Sequence, residues 1–184
     1  MNQSSKFEID KFFIQRGTGL GFFQNGILKD QSGAPRFLIQ RKFPFTTLII
    51  DAEYPNQLIL KIQPEKAFSL KFYNYEYSIY GIENQSIGKI IKKGFLKFYW
   101  DFCDESGKVI GKVDPSPWNA EKISSDLFLR NKKITGFYME GKNPEDHYKI
   151  DLNCDPDRKL DRRIAIALAA VSWYEIKDPP PMWI

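Results

Sequence analysis

The sequence has little of the chemistry on which metal sites and nucleophilic enzymes are built. Its single histidine, His147, excludes sites made of several imidazoles and any acid–base pair of them. The two cysteines, Cys103 and Cys154, have no second thiol at ligand spacing. The chain is therefore neither a disulfide scaffold nor a zinc module, and both read as free thiols of a reducing compartment. Charge is not distinctive either: 27 Lys+Arg against 23 Asp+Glu leave +4, compatible with an anionic partner but demanding none. With so small an excess, nucleic-acid binding is not expected. Met1 to Asp10 lacks the basic start and apolar run of a signal peptide, so a cytoplasmic location is expected. No apolar run reaches the roughly 20 residues of a spanning helix.

One stretch is nonetheless apolar enough to organise the chain. From Arg162 to Ile176 the sequence reads RRIAIALAAVSWYEI, and Ile164 to Val171 is apolar without a break. No polar face appears at any helical spacing, so this helix is expected to be surrounded on all sides. Asp155-Pro156 supplies an N-cap followed by proline at the first helical position, and Pro179-Pro180-Pro181 forbids continuation. The helix is expected over about residues 156–176.

Upstream, the pattern is strand and turn. Phe12 to Ile14 and Phe22 to Leu28 offer first strands. Thr47 to Asp51 faces Gln57 to Ile62 across Glu53-Tyr54-Pro55-Asn56, and Tyr75 to Tyr80 faces Ile87 to Ile91 across Glu83-Asn84-Gln85-Ser86. Phe98 to Phe102 faces Lys108 to Val113 across Asp104-Glu105-Ser106-Gly107. These turn residues tolerate positive φ or bond their own backbone. The hairpins recur at roughly 20- to 26-residue spacing, a degenerate β-meander repeat. Asp126 to Arg130, Gly136 to Glu140 and Tyr148 to Leu152 add further strands, about twelve in all. Aromatic content of 15% suits such a sheet. Side chains fill the lumen of an eight-stranded barrel, but a wider one needs a filling, and a helix is about 10–12 Å across. The alanines at 165, 167, 169 and 170 keep this one slim. The expected fold is mainly β (α+β): a closed, about twelve-stranded antiparallel barrel around a buried hydrophobic C-terminal helix. Residues 1–184 should form a single domain.

Hairpins in this number, followed by Tyr148-Lys149-Ile150-Asp151-Leu152, Asp155-Pro156-Asp157-Arg158-Lys159 and an apolar helix, resemble the tubby-like superfamily. That superfamily includes phospholipid scramblases and LURP-one-related proteins. The resemblance implies a non-enzymatic binding domain for anionic phospholipid or phosphoinositide headgroups, cytoplasmic and peripheral at a membrane. The alternative is a soluble structural or protein-interaction barrel with no lipid role; the sequence names no protein partner. Tubby-type domains hold headgroups through Lys and Arg on the barrel wall. The candidates here are Lys89, Lys92, Lys93 and Lys97, in a stretch without an acid from Asn84 to Trp100, and Arg130, Lys132 and Lys133 at a strand end. Lysines on exposed strands also keep a sheet soluble and unpaired, which is the competing explanation.

The scramblase calcium segment carries over poorly. Its acidic positions fall on Pro144, Asp146 and Asp155, so the first ligand is missing and only Asp146 and Asp155 match. Asp151, Asn153, Asp155 and Asp157 start like a calcium loop, but Pro156 stands at the required glycine and Arg162 at the bidentate glutamate. An acidic approach to a helix N-terminus accounts for these residues more simply, and no metal is expected. Gly17-Thr18-Gly19-Leu20-Gly21 lacks the Lys-Ser/Thr of a phosphate loop and reads as a strand connection. Pro179 to Ile184 is either a polyproline ligand or a strap over the barrel end. No catalytic constellation and no cofactor site is legible, so the protein is not expected to be an enzyme.

Overall fold

The structure is a computed structural model that describes residues 7–16, 25–42, 46–65, 75–93, 99–115, 124–140, 147–152, 155 and 157–177. Twelve strands and one helix make up the described secondary structure. The strands are β1 (Lys11–Arg16), β2 (Asn25–Asp30), β3 (Pro35–Lys42), β4 (Thr46–Asp51), β5 (Leu58–Pro64) and β6 (Tyr75–Tyr80). They continue as β7 (Ser86–Lys93), β8 (Tyr99–Cys103), β9 (Val109–Pro115), β10 (Ser124–Leu129), β11 (Lys132–Glu140) and β12 (His147–Asp151). All lie in one antiparallel sheet in chain order, and β1 pairs with β2 on one side and β12 on the other. The second pairing sets Lys11 opposite Asp151 and Ile14 opposite Tyr148.

Five of the hairpins share one irregularity. β2–β3, β4–β5, β6–β7, β8–β9 and β10–β11 turn at the same end of the sheet, and each pair carries a register shift close to its turn. A bulge adds one residue to one strand and increases twist and bending, which a sheet of this width needs to curl. It also explains neighbouring residues that are both buried, such as Ile49 and Ile50 or Phe102 and Cys103.

A polar side chain holds most of these turns. Asp30 Oδ1 accepts the Ser32 and Ala34 amides at 2.9 and 3.1 Å, and Asp104 Oδ1 accepts those of Ser106 and Lys108 at 3.0 and 3.1 Å. Gly33 and Gly107 take φ of 85° and 80° at equivalent positions, a conformation open to glycine without strain. Asp51 Oδ1 accepts Glu53 N–H, and Gln85 Oε1 accepts Glu83 N–H. The β10–β11 turn is tighter: Arg130 and Asn131 have φ of 48° and 67°, as a two-residue type I′ hairpin requires.

The helix α1 (Arg162–Lys177) is buried from Ile164 to Tyr174 without interruption, as its all-round apolar sequence requires. Two strand glycines make room for it. A Cβ at Gly26 would meet the Trp173 ring at 3.1 Å, and one at Gly88 would lie 3.3 Å from Ile164 and 2.3 Å from the Cys103 carbonyl oxygen.

The helix begins at Arg162, not near Pro156. Arg158 has φ of 50°, which no right-handed helix can pass through. Asp155 does not cap α1; its two carboxylate oxygens accept the amides of Lys159 and Leu160, each at 3.0 Å. Asp161 is the N-cap instead, its carbonyl accepting Ile164 N–H and its side chain accepting Arg163 N–H.

Candidate functional site

Strand alternation divides the first basic stretch. In β7, Gly88, Ile90 and Lys92 face inward, while Lys89 and Lys93 face out. Lys89 Nζ lies 2.7 Å from Glu76 Oε1 and 3.6 Å from Glu65 Oε1. Its pKa is raised by the Glu76 hydrogen bond, against a smaller opposing effect of burial. Lys93 Nζ lies 2.6 Å from Asp101 Oδ2, and that hydrogen bond raises its pKa in the same way. Lys92 is only 8% exposed, with Nζ 5.4 Å from the Trp100 ring centroid and 5.8 Å from that of Tyr75. Cation–π attraction of this kind strengthens as the cation loses water. Lys97 lies outside the described residues. The lysines of β7 therefore do not present one surface for a phosphate.

The second basic stretch lies at the β10–β11 hairpin, three strands along the sheet from β7. Arg130 occupies the β10–β11 turn, and Lys132 and Lys133 begin β11. Lys133 pairs with Asp126 at 2.7 Å. Arg130 and Lys132 are exposed and belong to no described salt bridge. Lys132 contributes, behind Lys159, to lowering the pKa of Asp157.

Of the two calcium candidates only Asp155 is described, and its carboxylate is engaged. Asp146 lies outside the described residues. Asp155 is 3% exposed, and besides the two amides it holds Arg162 Nη1 at 2.8 Å. Arg162 donates further to Asp10 Oδ1 at 2.8 Å and to the Asp155 carbonyl at 3.1 Å. The arginine that stands where a calcium loop keeps its glutamate thus supplies the positive charge itself. Its Nε–H has no acceptor. Among the described residues no three of His, Cys, Asp and Glu gather as metal ligands. Burial, the largest effect on Cys103, pushes its thiol pKa up and leaves it a poor nucleophile. Cys154, the glycine-rich stretch 17–21 and the tail from Pro179 to Ile184 lie outside the described residues.

The structure adds a surface that the sequence reading missed. A groove of about 530 Å3 opens beside the start of α1, with Ile59, Leu60, Ile82 and Leu160 among its apolar lining and Arg158 and Arg163 on its rim. Three large hydrophobic side chains are exposed among the described residues: Tyr54 at 60%, Ile82 at 45% and Val109 at 50%. Tyr54 and Ile82 stand in the β4–β5 and β6–β7 turns, and Val109 opens β9 just after the β8–β9 turn. The available signal was an apolar residue inside a polar turn, such as Ile82 between Gly81 and Glu83.

These features define a class: a mostly β protein, with twelve antiparallel strands in one sheet and a C-terminal apolar helix. No described helix is long and apolar enough to cross a membrane. The X-ray structure of a protein from Arabidopsis thaliana is similar, with a TM-score of 0.56 over 90% of this chain and 92% of that one. The two share 11% sequence identity, so the likeness is one of fold. No family model and no curated protein matches the chain.

Proposed function

We propose that this chain is a tubby-like barrel that works by binding rather than catalysis, and that what it binds is another protein. Its reading as a closed barrel is supported by β1 lying between β2 and β12, and by a helix buried along both sides. The observation that carries the functional reading is the pairing of four strand lysines with carboxylates. Lys89, Lys93, Lys112 and Lys133 each lie within 2.7 Å of a carboxylate from the same or a neighbouring strand. A phosphate approaching these lysines would meet a carboxylate already beside each ammonium.

Headgroup binding is the second reading, supported by Arg130 and Lys132, which are exposed at one hairpin without a described salt bridge. Sedimentation with phosphatidylcholine vesicles, with and without phosphoinositide, separates the two. The protein is expected to stay in the supernatant at both low and high salt. Phosphoinositide-dependent pelleting that high salt reverses and the double variant Arg130→Ala/Lys132→Ala abolishes would establish the second reading instead.

A further inference from the structure

We infer that residues 178–184 form a strap that folds back over the rim of the sheet beside β3 and β4. There it covers an apolar row on the outer wall and shields that row from a second copy of the chain. The inference goes beyond the protein-binding reading above and does not rest on it. In β2 to β5, side chains that alternate with the core residues point outward. Four of these are apolar and stand side by side in register: Ile27 opposite Leu38, Leu38 opposite Ile50, and Ile50 opposite Leu58. Leu48 stands two residues from Ile50 on the same face of β4, nearer the end at which β3 leads into β4. Ile27, Leu38, Leu48 and Leu58 are half-buried. Ile50, flanked by the last three, is 8% exposed yet takes no part in the core cluster. On the other half of the wall charge interrupts the apolar residues. Ile91 lies between Glu76 and Asp101, and Phe128 lies beside Lys112.

The end of α1 and the residues after it identify the occupant. Trp173 lies against Gly26, one residue before Ile27, and Arg41 of β3 stands 5.0 Å over the Tyr174 ring. Leu48 pairs with Gln40, the neighbour of Arg41, so α1 ends on the inner side of the same stretch of wall. After Lys177 the chain reads Asp-Pro-Pro-Pro-Met-Trp-Ile. Prolines favour an extended polyproline segment of about 3.1 Å per residue, which carries Trp183 on the order of 18 Å from Lys177. Crossing from a packed helix to the far side of the wall is a path of about 15 Å, within that reach. The prolines lose little freedom on docking, and Met182, Trp183 and Ile184 bring apolar side chains to an apolar row.

The test is disulfide trapping in the whole chain. Leu48→Cys/Trp183→Cys, oxidised with glutathione disulfide, should join positions 48 and 183 within one chain, as read by mass mapping of tryptic peptides from the monomer. Lys112→Cys/Trp183→Cys places the first thiol on the ion-paired wall, where the lysine side chain is 42% exposed, and should join at least about tenfold more slowly. No joining to position 48, equal joining to both positions, or joining only between two chains overturns the strap. Ending the chain after Lys177 removes no described residue. In sedimentation velocity the shortened chain should dimerise with rising concentration, and Leu38→Lys in it should reverse this. Equal self-association of the full and shortened chains, or none in either, overturns the shielding.

Discussion

The two ends of α1 are held by different physics. At its N-terminal end Arg162, 6% exposed, is fixed by Asp155, Asp10 and the Asp155 carbonyl, a polar lattice that also closes the turn before the helix. At its C-terminal end Trp173 and Tyr174 lie 4.8 Å apart, Trp173 against Gly26, and Arg41 stands 5.0 Å over the Tyr174 ring. The polar end fixes where the helix begins, because both terminal nitrogens of Arg162 have particular acceptors. The aromatic end fixes how tightly it packs, because ring contacts are large in area and permissive in direction.

That contrast can be broken from either side. The largest effect is expected at the aromatic end, where Trp173→Ala should cost about 4 kcal/mol of unfolding free energy in urea. Trp173→Phe should cost far less than Trp173→Ala, because the indole Nε1–H has no acceptor to lose. If the two variants are equally destabilised, packing does not dominate there.

Asp155→Ala follows, at about 3 kcal/mol, since it leaves a buried guanidinium short of its buried carboxylate partner and two amides unpaired. A cost below about 1 kcal/mol would mean that Asp10 and solvent suffice for Arg162. Smaller still is the difference between two lysines of one strand. Lys92→Met should cost about 1 kcal/mol through the Tyr75 and Trp100 rings. Lys89→Met, on the outer wall, should cost less, and equal losses would refute the division of β7 into an inner and an outer lysine.

The smallest effects are pH limbs of opposite sign. Burial pushes the Asp30 carboxyl up, but hydrogen bonds from Ser32, Arg36 and Ala34 together bring it below its ordinary value. Its contribution is complete above the unfolded aspartate value near 4 and is lost as pH falls through the lower folded value. The raised Lys93 contributes fully below the unfolded lysine value near 10.4 and is lost as pH rises through the higher folded one. In melting curves across pH, Asp30→Asn should flatten the acid limb alone and Lys93→Met the alkaline limb alone. A change on the other limb in either variant contradicts these assignments.

Much of the fold was legible because it rests on local pattern. The unbroken run from Ile164 to Val171 announced burial on all sides, and turn residues such as Asp104-Glu105-Ser106-Gly107 announced hairpins. The start of α1 was not legible. Asp155-Pro156 imitates a helix start, and only the contact from Arg162 back to Asp155 and Asp10 shows that the chain makes another turn first. The exposed tips escaped notice because one isoleucine in a turn resembles any apolar residue until its exposure is known.

The lysines of β7 mark the boundary most clearly. Alternation already set Lys92 on the face opposite Lys89 and Lys93, since successive side chains of a strand point to opposite sides. Composition likewise set the apolar nature of α1. Whether Lys89 and Lys93 were free was not written near them, since the stretch from Asn84 to Trp100 contains no acid. Glu76, Glu65 and Asp101 reach them only because β6, β7 and β8 pair in a particular register. Register depends on bulges and turns throughout the sheet, so the tertiary structure alone decided that Lys89 and Lys93 each stand beside a carboxylate.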